Sequence, residues 1–121
     1  MMRRDAFALL FALSACGGDK ADGHYHGRGV IAAISGSGIE AEVSIHHEAI
    51  AQFKDREGVP STMNSMTMIF GIAPNVTSES MRIGEPIAFD FEVHWQTRPT
   101  LRLTGWHPLP TDTKLTLSAN K

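Results

Sequence analysis

Three methionines stand close together in the segment Met63-Asn64-Ser65-Met66-Thr67-Met68-Ile69-Phe70. In a β-strand the side chains of residues i and i+2 leave the same face, so Met66 and Met68 would project side by side. A thioether is soft, polarizable and has no proton to lose on binding, and soft ligands of this kind select Cu(I) over harder ions. Ag(I) follows by the same logic. His47 is the natural companion. It ends an alternating stretch in which Ile39, Ala41, Val43 and Ile45 form the apolar face, so its parity is inward and that of His46 outward. An inward imidazole at the rim of a barrel would add a nitrogen to two sulfurs. Each signal has a plain alternative. Methionine fills irregular gaps in cores, and a lone inward histidine is more often a hydrogen-bonded core or rim residue than a ligand.

Other candidates carry less. His24-Tyr25-His26 has imidazoles suited to Cu(II), but its Gly- and Asp-rich setting reads as a solvated linker. Asp90 and His94 share the outward parity of their strand and read as surface residues. His107 has inward parity near a strand end, while Trp95 and Trp106 read as core or rim aromatics able to approach the methionines. No catalytic constellation emerges: there is no Gly-x-Ser-x-Gly elbow, no phosphate-cradling loop after a strand and no obvious carboxylate pair. Glu48, beside His47, is better placed to orient the imidazole than to act as a base. The expectation is a protein that is not an enzyme. The formal net charge of −2 comes without a basic patch, which argues against nucleic acid as a partner.

The elements that must position these residues are short strands. Residues 30–34 form an apolar strand, Ser35-Gly36-Ser37-Gly38 a turn, and 39–46 an alternating strand, together a hairpin. Residues 48–62 are a connection whose first part could form one or two helical turns, ended by Gly58-Val59-Pro60. Residues 66–72 look like a third strand, and 74–84 a loop able to hold a short helix. Ile87, Phe89, Phe91, Val93 and Trp95 alternate with polar residues in a fourth strand, and Thr97-Arg98-Pro99 turns the chain into a fifth at 100–107. This pattern predicts an all-β fold, a small five-stranded Greek-key (OB-type) β-barrel. A β-sandwich fragment is the alternative.

The N-terminal residues address the chain. Arg3 and Arg4 precede an apolar run, Ala6 to Leu13, too short to span a bilayer, and Leu13-Ser14-Ala15-Cys16 resembles the bacterial lipobox. The expected organisation is a lipoprotein signal peptide at 1–15, a flexible tether from lipidated Cys16 at 16–27, and one barrel domain at 28–121. Cys16 is the single cysteine, so acylation leaves no thiol for disulfide or thiolate chemistry. The anchored chain would sit in the bacterial periplasm, held to a membrane by its acyl chains. Gly17 is not the aspartate that retains enteric lipoproteins at the inner membrane, which points to the outer one.

Three stretches taken together resemble the CusF-like periplasmic copper-binding family: Val43-Ser44-Ile45-His46-His47-Glu48-Ala49-Ile50, Met66-Thr67-Met68-Ile69-Phe70, and Gly84-Glu85-Pro86-Ile87-Ala88-Phe89-Asp90-Phe91. The family pattern is a strand ending in His-Asp/Glu, then Pro-Ala-Met-Thr-Met-x-Phe, then Pro-Gly-Asp and an alternating strand. The resemblance spans residues 28–108. It implies a five-stranded barrel that binds Cu(I) or Ag(I) and hands it to copper efflux or copper-enzyme assembly proteins. By motif the ligands fall on His47, Met66 and Met68. The position of the capping tryptophan of the best-known branch is Met63 here, a further sulfur ligand or a closing group. Asn64-Ser65 replaces the Pro-Ala, and the connection from His47 to Met66 is longer than the family's. The reading from a different class is a metal-free OB-type interaction module, with both methionines in the core and the long connection binding protein.

Overall fold

The computed structural model describes residues 20–118; the signal peptide expected at 1–15 and Cys16 fall outside the described residues. Among the described residues the strands are β1 (Gly23–Ser35), β2 (Glu42–His47), β3 (Ile50–Lys54), β4 (Pro60–Met63), β5 (Met66–Ile72), β6 (Pro86–Val93) and β7 (Leu101–Pro108), with a 3-10 turn at Gly38–Glu40. Five of them close into a barrel in the order β1-β2-β5-β7-β6, and β3 and β4 make a separate two-stranded sheet. Every barrel pairing is antiparallel except β5 with β7, which is parallel and spans only Gly71↔Arg102 and Ile72↔Leu103. This is the all-β, five-stranded OB-type barrel expected from the strand pattern.

Period-two alternation builds the core. Ile87, Phe89, Phe91 and Val93 of β6 are buried, while Asp90 between them is exposed. Val43 and Ile45 of β2 meet Phe70 and Met68 of β5 in register. Phe70 packs edge-on against Phe89 and Phe91, with ring centroids 5.4 and 5.1 Å away. Aromatic packing of this kind supplies a large share of the apolar burial in a small domain that has no disulfide.

β1 closes the barrel by pairing with β2 on one side and β6 on the other. Gly29 stands opposite both His47 and Ile87. A Cβ there would lie 2.8 Å from His47 Cα and from Ile45 Cγ2, and nearer still to the His46 carbonyl oxygen. Only glycine lets the strands approach this closely beside the histidine.

The structure corrects four expectations about the elements. β1 starts at Gly23, so residues 23–27 are not a flexible tether: they pair along β6 from Gly23↔Val93 to Gly27↔Phe89. Tyr25 faces inward against Phe53 and Phe91, at centroid distances of 4.8 and 5.6 Å. Residues 48–62 form the β3–β4 hairpin rather than helical turns. Ile50 and Phe53 are both buried at a spacing that fits one helical turn, but a bulge with Gln52 at φ 60° brings them to the same side of a strand. Asp55 turns the hairpin, its Oδ1 accepting from the Glu57 and Val59 amides at 2.9 Å. Ile39, expected in the core, sits in the 3-10 turn and is 75% exposed. Residues 74–84 hold no helix.

Candidate metal centre

β2 ends at His47, and the parity read from the sequence holds: the side chain is fully buried. Its Nδ1 lies 2.7 Å from the Glu48 carbonyl oxygen. A carbonyl only accepts, so Nδ1 carries the proton and Nε2 presents a bare lone pair. Nε2 is buried and has no hydrogen-bond partner. Burial pushes the imidazole below its ordinary pKa, against the Glu48 bond, which favours the charged form; nearby His46 adds a smaller push downward. A neutral imidazole, oriented through one nitrogen and open at the other, is what a metal needs of a histidine. His46 Nε2, on the opposite face, is also without a partner.

Met66 is the register partner of His47 across the β2–β5 ladder, so the two side chains share a face as direct neighbours. Met68 pairs with Ile45, one step along the same face. Met66 is 38% exposed and Met68 half-buried, so the row runs from the barrel rim inward. Met63 ends β4, opposite Ile50, and packs with Met68 against the core. Met63, Met68, Phe53 and Trp95 line one apolar groove of about 380 Å³ beside β5 and the start of β7. The fold thus brings His47 and Met66 together as a pair, Met68 alongside, and Met63 next to Met68 from the hairpin. The hairpin, read in sequence as a longer connection, is what carries Met63 to this end of the barrel.

Glu48 ties the surroundings together. Arg28 grips its carboxylate at both oxygens, 2.9 Å each, and its amide donates to the Arg28 carbonyl at 2.8 Å. The Arg28 guanidinium holds the Glu48 carboxyl below the usual carboxylate range. With carboxylate and amide fixed, the Glu48 carbonyl is fixed too, and with it the plane of the His47 ring. The orienting role expected of Glu48 thus falls to its backbone oxygen.

The remaining candidates lie elsewhere. His24 and His26 face outward from β1, opposite Glu92 and Asp90 of β6. His26 bonds Asp90, and His24 lies 3.7 Å from Glu92. His94 is not on the surface: β6 stops at Val93, parity ends with it, and the ring is buried with Nε2 donating to Glu92 at 2.8 Å. His107 and Trp106 line a separate groove with His26 and Asp90. Trp95 carries Arg56 over its ring at 5.2 Å. Among the described residues no group of three His, Cys, Asp or Glu side chains could hold a metal ion. Methionine with one imidazole, as His47, Met66 and Met68 stand here, is a donor set that suits a soft, monovalent ion.

No protein-family model and no curated protein matches the sequence. Among solved structures the chain is similar to apo-CusF from Escherichia coli, at 22% identity and a TM-score of 0.51, over 73% of this chain and 89% of that one. The chain has a CusF-like fold.

Proposed function

We propose that the chain is a periplasmic carrier of one Cu(I) or Ag(I) ion, anchored by lipid at Cys16. His47, Met66 and Met68 are its ligands, and Met63 is a fourth ligand or a closing group. It hands the ion by ligand exchange to a copper efflux or copper-enzyme assembly protein, and it is not an enzyme. The observation that carries this reading is the His47 Nε2 atom, buried without a partner and directly across the ladder from Met66. An orphaned buried nitrogen costs stability unless something binds it. The CusF-like fold and the motif order of His47, Met66 and Met68 support the same conclusion.

The test is an anaerobic Cu(I) titration against a competing chelator, run beside a Met66→Ile/Met68→Ile variant checked by circular dichroism. One tight equivalent, lost in the folded variant, is the expected result. Equal weak binding by both proteins would remove the copper assignment. The apolar groove between the hairpin and β5, with Ile69 60% exposed at its edge, favours the second reading of a metal-free interaction module. On that reading both proteins bind copper alike and an envelope protein partner occupies the groove.

A further inference from the structure

Beyond β7 the chain does not leave the barrel. Pro110 turns it, its carbonyl accepting from the Thr113 amide at 2.9 Å, and residues 113–118 run back outside any helix or strand. Their burial alternates. Thr113, Leu115 and Leu117 are half-buried, whereas Lys114, Thr116 and Ser118 are exposed, so an apolar face lies on the protein.

The segment is fastened at two places. The Thr116 amide donates to Glu48 Oε2 at 2.8 Å. The Ser118 amide donates to Ser65 Oγ at 2.9 Å, and the Ser118 hydroxyl to the Ser65 carbonyl at 2.8 Å. Glu48 directly follows His47 and Ser65 directly precedes Met66, so the fastenings flank the open end of the His47↔Met66 pair. The dimensions agree. Residues two apart in an extended chain are separated by about 6.5 Å, close to the roughly 5 Å between paired antiparallel residues. Leu117 therefore lies between the two fastened residues, half-buried, in the segment that joins the Glu48 and Ser65 sides of this end. Nothing in the barrel requires this course, since β7 is complete at Pro108.

We propose that residues 113–118 are a strap closing the metal-binding end of the barrel, latched at Glu48 and Ser65, and that the ion enters and leaves when it unlatches. Leu117 limits water at the His47 side of a soft ligand set that gains nothing from solvent, while Met66 stays partly exposed at the rim. Glu48 holds the strap by its carboxylate and His47 by its carbonyl, so one residue, itself held by Arg28, links the latch to the imidazole. A receiving protein that displaces the strap would collect the ion without unfolding the barrel. This inference rests on the metal-carrier reading for its purpose, but the closure has a metal-free consequence of its own.

The test uses the full chain and a Thr116→Pro/Ser118→Pro variant. Proline has neither an amide to donate nor a hydroxyl, so all three latch bonds vanish while every barrel and ligand residue stays. A second variant, ending at Thr113, removes the strap outright. In the metal-free proteins, diethyl pyrocarbonate modification is read residue by residue, with exposed His24 and His26 as internal standards. His47 is expected to be protected in the parent and modified in both variants. With Cu(I) loaded, transfer to a colorimetric chelator is expected to be about tenfold faster in the variants, as loss of three hydrogen bonds allows. Equal His47 protection and equal transfer rates in the truncated protein would overturn the strap. Failure of the parent to take up Cu(I) would instead overturn the carrier reading, and the His47 modification pattern would still decide whether the strap closes that end.

Discussion

Replacing His47 with leucine separates a ligand from a core residue, because the two roles predict opposite changes in stability. The imidazole is fully buried and its Nε2 is unpartnered. An atom in that state costs the fold about 1–3 kcal/mol. Leucine, of comparable size, removes that cost but loses the Nδ1 bond to Glu48, worth about 0.5–1.5 kcal/mol. The metal-free variant should therefore be more stable than the parent by about 1 kcal/mol, a rise of roughly 4–8 °C in melting temperature for a domain of this size. Copper reverses the order. A ligand present at 100 times its Kd stabilises the protein that binds it by about 2.7 kcal/mol, and the leucine variant should gain none of this. Thermal melts followed by circular dichroism, anaerobically with and without Cu(I), give all four values. A metal-free His47→Leu protein melting well below the parent, with the copper shift intact, would refute the reasoning. The imidazole would then be a structural residue.

The pH dependence follows from the same ring. Its folded pKa lies below the ordinary 6.5, so the unfolded chain takes up the proton first. Stability is full above about 6.5 and falls as the pH drops from there through the depressed folded value; urea midpoints between pH 8 and 5 should show this, and His47→Leu should flatten it. Glu48, held below its ordinary 4.5, contributes stability that is present above that pH and lost as the pH falls through its folded value, a second acid step that Glu48→Gln should remove. Gly29→Ala forces β1 off the backbone of His46 and His47, and should cost about 1–3 kcal/mol by denaturant titration. Phe70→Ala leaves a cavity between Phe89 and Phe91 and should cost about 3–5 kcal/mol, enough to leave a marginal domain partly unfolded by circular dichroism.

The features legible in the sequence were those written with a strict period of two. β6 and the Val43–Ile45–His47 face of β2 could be read residue by residue, and so could the common face of Met66 and Met68. Reading failed where another signal overlaid the period. The glycines at 23 and 27 suggest a tether, yet their spacing with Tyr25, Gly29 and Ile31 is a strand pattern, and glycine in its inner row lets the sheet close. Ile50 and Phe53 mimic a helical turn because a bulge restores their common side. His94 lost its parity because β6 ends one residue earlier. The strap was invisible for a different reason. Its latches pair residues 53 and 68 positions apart, and such contacts leave no periodic trace.

The parallel seam between β5 and β7 has a mechanical consequence. It is closed by only two residue pairs, at the far end of β5 from the methionines. The half of β5 that carries Met66 and Met68 is stitched to β2 alone, so it can fray while the other four strands of the barrel keep their ladders. Partial opening of this kind draws on a small, local fraction of the total folding free energy. Thermal fluctuation should therefore concentrate in the stretch of wall that bears the sulfurs, leaving a stiff frame behind it.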